Sequence, residues 1–291
     1  MDSHKFLKHI PLKRFQDPPP RVAVLRLSGV IGGMGPLRSG LTLSGVEKSI
    51  EQAFEIPRLS AVALAVNSPG GSPVQSALIA KRIRDFAAEK EVPVLAFCED
   101  VAASGGYWLA CAADEIFVNA SSIVGSIGVI SAGFGFQQAI EKLGIERRVH
   151  TSGDRKSMLD PFAPEDPEDV TRLKALQAEI HGDFKAMVSD RRGDRLKAGE
   201  DILFSGEFWT GTKAVDLGLA DGEGELRATL RERFGEKVQI RPITAPKSWL
   251  KRRLGLSALV ADEGSSGLAQ GWAAGALAAA EERALWARFG L

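Results

Sequence analysis

Ser104 lies in Ala102-Ala103-Ser104-Gly105-Gly106-Tyr107-Trp108, and Lys156 lies further on in Gly153-Asp154-Arg155-Lys156-Ser157. The four histidines stand at 4, 9, 150 and 181, so a Ser-His-Asp arrangement would have to draw one from a distant part of the chain. The other base open to a serine is an amine, and the pair points to a hydrolase in which lysine takes the hydroxyl proton. From a reference pKa of ~10.4, only on the order of a thousandth of lysine side chains are neutral near pH ~7.4. A working base must therefore be pulled down by ~3 pH units, an effect of ~4 kcal/mol that burial can supply. Met158, Leu159, Pro161 and Phe162 offer an apolar wall for that burial. Asp154 and Asp160 are expected to point outward or to bond backbone N–H groups, because an inward carboxylate would keep the amine charged.

A second feature is Val66-Asn67-Ser68-Pro69-Gly70-Gly71-Ser72-Pro73. Ser72 reads as an N-cap and Pro73 as a first helical residue, which explains those two but not the paired glycines before them. Glycines there leave backbone N–H groups bent and unshielded, as an oxyanion hole requires. Ser104 also opens a helix, with Gly105 and Gly106 in its first turn, beside another bare N–H at a positive dipole end. On local sequence alone such a serine reads as a cap. Nothing follows the GxSxG pattern, which removes the main support for an α/β-hydrolase.

These residues need a scaffold that brings strand ends together. From Arg21 the sequence alternates β-branched runs (22–27, 61–66, 94–98) with helical patterns (45–56, 73–89, 104–112), which predicts βαβ units around a mostly parallel sheet. Further strands are expected at 116–118, 127–130, 145–149 and 238–240, with helices at 136–143, 167–192, 212–217 and 226–234. Val170, Leu173, Leu176, Ile180, Phe184 and Met187 form one stripe on the long helix, read as core or subunit interface. Three regions follow: a basic amphipathic arm with a proline linker (1–20), a catalytic domain (21–245) and a helical tail (246–291). The arm reads equally as a membrane-surface element or as a frayed terminus or strap on a neighbouring subunit. The tail, with Trp272, Leu285, Trp286 and Phe289 among alanines, reads first as a docking element for another protomer and second as a membrane-surface contact.

Composition sets outer limits. Lysine plus arginine balances aspartate plus glutamate at 37 each over 291 residues, which argues against nucleic acid as a partner. Cys98 and Cys111 sit in apolar runs without CxxC spacing and read as buried free thiols of a reducing compartment. No spanning run or signal-peptide core is evident, so a cytoplasmic location is expected, with peripheral contact at the inner membrane left open. No cofactor or metal is expected.

Asn67-Ser68-Pro69-Gly70-Gly71, Ala103-Ser104-Gly105-Gly106-Tyr107, Gly125-Ser126-Ile127-Gly128-Val129 and the stretch from Arg155-Lys156-Ser157 to Asp160-Pro161-Phe162, in this order, resemble the signal peptide peptidase A family. The resemblance covers roughly residues 21–243. It implies a Clp protease/crotonase-like α/β fold of repeated ββα/βαβ units with a helical C-terminal extension. It also implies a serine endopeptidase in which Ser104 is nucleophile, Lys156 general base and Ser126 the hydroxyl that orients the amine. The Gly71 and Gly105 amides form the oxyanion hole in that picture. Extended apolar peptides, such as signal-peptide remnants, would be the substrates, paired along Ile127, Gly128, Val129 and Ile130. The resemblance further implies a homo-oligomeric ring, in which Lys156 can serve a serine of its own chain or of the next. Arg155 stands where an aromatic is common in the family. Two other readings are a crotonase-type acyl-CoA enzyme, which shares the twin-amide hole, and a non-catalytic membrane-associated scaffold.

Overall fold

The computed structural model describes residues 18–33, 40–243, 279–280 and 282–291. Most of the expected N-terminal arm and much of the C-terminal tail lie outside the described residues. Strands β1 (Arg21–Ser28), β2 (Leu59–Ser68) and β3 (Val94–Ala103) are the centre of the sheet. The inner runs of β2 and β3 are buried on both faces, which is why they read as continuous apolar stretches, whereas β1 alternates from Leu25 onward with Arg26 and Ser28 exposed. β8 (Gln239–Pro242) pairs parallel with β1 on one side. On the other side β3 divides its partners. Leu95–Cys98 pair with β4 (Glu115–Val118), whereas Val101–Ala103 pair with β5 (Ile123–Gly125). β6 (Phe208–Thr210) joins β5 antiparallel, and β7 (Gly222–Glu223) joins β4 parallel. The result is a mixed α/β architecture on a mostly parallel sheet, as expected.

Helices α1 (Leu43–Phe54) and α2 (Pro73–Lys90) pack together on one side of the central strands. The short α3 (Gly105–Ala110) follows β3 directly and is buried along its whole length. α4 (Gln137–Lys142) is a surface turn of helix, and α5 (Pro167–Arg192) has the limits expected from its sequence. Asp166 caps its start ahead of Pro167, acidic Glu168 and Asp169 occupy the first turn, and Arg191 and Arg192 occupy the last, before Gly193 at φ 50°. Each of these choices suits the helix dipole and its unsatisfied ends. Three further helices, α6 (Glu200–Leu203), α7 (Gly211–Asp216) and α8 (Leu226–Phe234), follow in the body of the chain. Among the described residues no helix is long and apolar enough to cross a membrane.

Two expected strands are absent. Residues 127–130 and 145–149 are irregular, because neither run pairs with a strand among the described residues. From Gly128 to Asp183 no residue is buried. The predicted stripe on α5 therefore divides: Phe184 is in the core, while Leu176 and Ile180 are exposed.

Candidate active site

The site begins with a fault in the β2–β3 ladder. Between the pairs Val66–Cys98 and Ser68–Ala102, β3 uses more residues than β2 and arches. The Asn67 side chain fills the gap: its Oδ1 accepts from Val101 N at 3.2 Å and its Nδ2 donates to Asp100 at 2.8 Å. Ser122 Oγ holds the other side, donating to the carbonyls of Cys98 and Glu99. The re-aimed end of β3 delivers Ser104 into the turn to α3.

Ser104 is not a cap. Its backbone sits at φ 53°, ψ −122°, outside the region a capping residue uses, and its side chain makes no capping bond. A non-glycine residue in such a conformation costs about 1–3 kcal/mol and persists only where its surroundings impose it. Here Ser104 N donates to Gly125 O at 2.8 Å, and the turn is closed by the wholly buried α3. The geometry of a sharp strand-to-helix turn that exposes a serine thus occurs without the GxSxG sequence.

The paired glycines now have separate reasons. A Cβ on Gly70 would lie 2.7 Å from Ser104 Cβ, so Gly70 makes room for the serine. A Cβ on Gly71 would lie 2.0 Å from Ile31 O, so Gly71 makes room for the strand-like bridge that fixes the turn. In that bridge Ile31 N donates to Gly70 O and Ser72 N donates to Ile31 O, at 2.9 and 2.8 Å. The N–H of Gly71 consequently faces the other way. A Cβ on Gly105 would approach Gly71 N to 3.4 Å, so these two residues are neighbours beside Ser104. Neither N–H has an acceptor among the described residues. Ser72 caps α2 through Gln75 N and Pro73 begins it, as the sequence indicated.

A cleft of about 440 Å³ opens over Ser104, lined among others by Gly71, Ser126, Gly128, Val129 and Ile130. Ser126 is buried and held at φ 52°, its N–H donating to Glu207 O. Ile127 departs from its expected role: its side chain is fully buried, it does not line the cleft, and its carbonyl bonds His181 Nε2 at 3.1 Å. Val129 and Ile130 have no backbone hydrogen bonds among the described residues, so their amides and carbonyls are open to an extended chain. His181, itself a cleft residue, was missed in the sequence because its place depends on how α5 crosses the 126–130 segment.

Lys156 is elsewhere. It is exposed on the excursion after Ile130 and lines a shallow depression with Ser152, Gly153, Asp154 and Arg155 rather than the Ser104 cleft. The expected wall around it is open, with Leu159 and Phe162 exposed and Phe162 stacked on Phe136. Asp160 bonds Phe162 N at 3.0 Å and pairs with Arg147, and these contacts outweigh burial to hold its carboxyl below the ordinary value. Within one chain, therefore, serine, Ser126 and the two amides come together and the lysine does not. No cluster of three or more metal-ligating side chains occurs among the described residues.

The support beneath the site is dry. Burial pushes the Cys98 thiol up to about 12 and the Cys111 thiol up to about 11, and it pushes the Tyr107 hydroxyl well above its ordinary value. Tyr107 donates to Leu219 O at 2.8 Å, and Trp108 stacks on Phe184 with ring centroids 4.8 Å apart. Arg191 donates to the carbonyls of Cys111 and Ala113, tying the end of α5 to the end of α3.

A serine forced into a strained turn at the carboxyl edge of a parallel sheet, beside two unpaired amides, is the arrangement of an acyl-transfer hydrolase. Residues 87–240 match the model of peptidase family S49, more than half of the chain, and the chain belongs to that family. A segment of the Na(+)/H(+) antiporter NhaA of Brucella abortus is 49% identical over 290 residues, 98% of this chain and 39% of that protein. The chain thus spans about two fifths of the length of that relative. A Synechocystis sp. protein with a provisional protease name, slr0021, is 30% identical over 226 residues, 75% of this chain and 80% of that one. Among solved structures, the 1510-N membrane-bound stomatin-specific protease aligns with a TM-score of 0.48 at 16% identity, covering 79% of this chain and 99% of that chain.

Proposed function

We propose that this chain is a serine endopeptidase working through a Ser104/Lys156 dyad completed between protomers. The carrying observation is the enforced conformation of Ser104 beside the bare amides of Gly71 and Gly105. In the mechanism, the neutral amine of Lys156 takes the proton from Ser104 Oγ, which attacks the peptide carbonyl. The resulting oxyanion accepts hydrogen bonds from the two amides, and the protonated amine then delivers its proton to the leaving nitrogen. Water, deprotonated by the same lysine, releases the acyl group. Ser126, buried in the same cleft, orients the amine once it arrives.

Assembly supplies what one chain lacks. The excursion that carries Lys156 buries nothing of its own, yet it exposes Ile130, Phe134, Leu143 and Ile145 at 55–81%. Exposed apolar groups at this density mark an interaction surface. Docking it on a neighbouring copy in a ring would bury these groups and take the lysine out of water. The substrates are extended, largely apolar peptides such as signal-peptide remnants. The open backbone of Val129 and Ile130 supports pairing with such a chain, with Gly128 allowing close approach.

Incubation with a fluorophosphonate should label Ser104 in the parent protein and leave Ser104→Ala unlabelled. Exposure to a peptide library, read by mass spectrometry, should yield cleavage that both Ser104→Ala and Lys156→Ala lose with assembly intact. Undiminished cleavage by Lys156→Ala would remove the lysine from the reaction.

A further inference from the structure

The last residues of the chain form part of the cleft. Residues 282–287 are helical, and the segment docks beside the nucleophile: Phe289 is buried against Val101 and Ala103 of β3, with Trp286 and Ile123 packed alongside. Phe208 of β6 meets Phe289 edge to face at 5.1 Å. This anchoring turns Leu285 and Arg288 toward the Ser104 cleft, where both are lining residues. Besides these two the lining holds His181, whose imidazole is engaged with Ile127 O, and it contains no carboxylate among the described residues. Arg288 has no acidic partner among the described residues. Its nearest specific contact is the ring of Phe289, 5.9 Å from the guanidinium carbon.

We infer that Arg288 forms a carboxylate-binding subsite on the C-terminal wall of the cleft, so that peptides bearing an acidic group at one defined distance from the bound apolar stretch are preferred. This rests on the cleft being a peptide site. A planar guanidinium offers two parallel donors that match a carboxylate. The aromatic anchor fixes the backbone of the subsite, while the exposed Arg288 side chain keeps the reach to meet its ligand. The carboxylate can come from an aspartate or glutamate side chain or from the C-terminus of the peptide, and both present the same two oxygens.

The test measures binding by fluorescence anisotropy, using the full-length Ser104→Ala protein so that nothing is consumed. A labelled apolar decapeptide is scanned with Asp, Asn or Lys at each position in turn, and in parallel its C-terminal acid is compared with the amide. At one position Asp should bind about three- to tenfold more tightly than Asn, and Lys more weakly than Asn, with the difference shrinking as salt is raised. Arg288→Gln should erase the preference and Arg288→Glu should invert it. A side-chain preference or an acid-over-amide preference identifies the source. Because Arg288 is exposed, both variants should keep the circular dichroism of the parent. Equal ratios in the parent and Arg288→Gln proteins at every position, or no binding of any peptide, would overturn the subsite. If the serine-intact protein hydrolyses nothing while the Arg288-dependent preference persists, the peptidase reading fails and the subsite stands.

Discussion

Each glycine at the site answers to a particular neighbour, and substitutions should report that. In Gly71→Ala the new methyl would meet Ile31 O at 2.0 Å, displacing the amide proposed to face the reacting carbonyl. Turnover should fall by about 10²–10³, the usual loss for one oxyanion donor, in a peptide-cleavage assay. Cys98 and Cys111 sit beneath the same turn, and at pH ~8 thiols with pKa values pushed up to about 12 and 11 hold almost no thiolate. Ellman's reagent should leave both unreacted in the folded protein and titrate both in denaturant. The linked stability is present below the ordinary thiol value of 9.0 and is lost as pH rises from there toward 11–12, since the fold retains protons that the unfolded chain releases. Much of this scale was legible in the sequence, because turn chemistry singles out Gly71, Gly105 and Ser104. What it concealed is that Ser104 is strained rather than capping. That conformation is imposed by Gly125 O, the room left at Gly70 and the arch around Asn67, all set by tertiary contacts.

Elements around the site differ in how firmly they are held. The C-terminal third of α5 clamps α3 through Phe184 on Trp108 and Arg191 on the carbonyls of Cys111 and Ala113. Phe184→Ala should cost about 3–5 kcal/mol in denaturant unfolding, the range for emptying a packed aromatic site. Next to it, Arg192 is 2% exposed, bonds Gly218 O and pairs with Asp221, which also accepts from Ile116 N. Burial alone would raise the Asp221 carboxyl, but the bonds from Arg192 and Ile116 hold it below its ordinary 3.8. The stabilisation is therefore present above that value and is lost as pH falls through and below it. Arg192→Ala, which strands the acid, should cost about 3–5 kcal/mol near neutrality. In an acid-unfolding series that deficit should narrow once the carboxyl is protonated. The limits of α5 were legible because Asp166, Pro167 and Gly193 punctuate both ends. β5, β6 and β7 were not, since strands of two or three residues carry no readable period. The runs at 127–130 and 145–149 misled for the opposite reason: their composition suits strands, but no strand among the described residues pairs with them.

At the scale of the whole molecule, the separation of Ser104 from Lys156 means that the proposed dyad requires either assembly or movement of the excursion that carries the lysine. In a head-to-tail ring each interface would join the serine of one copy to the lysine of the next, which is a heterologous contact that closes. That arrangement has a measurable consequence that a dyad within one chain lacks. Ser104→Ala and Lys156→Ala proteins should each be inactive alone. When the two are unfolded together and refolded as an equal mixture, random assembly leaves about a quarter of the interfaces with both groups intact. Peptide cleavage should return to about that fraction of the parent rate, and fluorophosphonate labelling should appear only on Lys156→Ala chains. Zero recovery from mixed assemblies, shown by mass spectrometry to contain both chains, would mean that the lysine reaches the serine of its own chain by movement of the excursion. A third variant separates the two cases further. If the proposed ring forms, replacing the exposed Phe134 and Leu143 with serine should weaken association without touching the cleft, and activity should then depend on protein concentration.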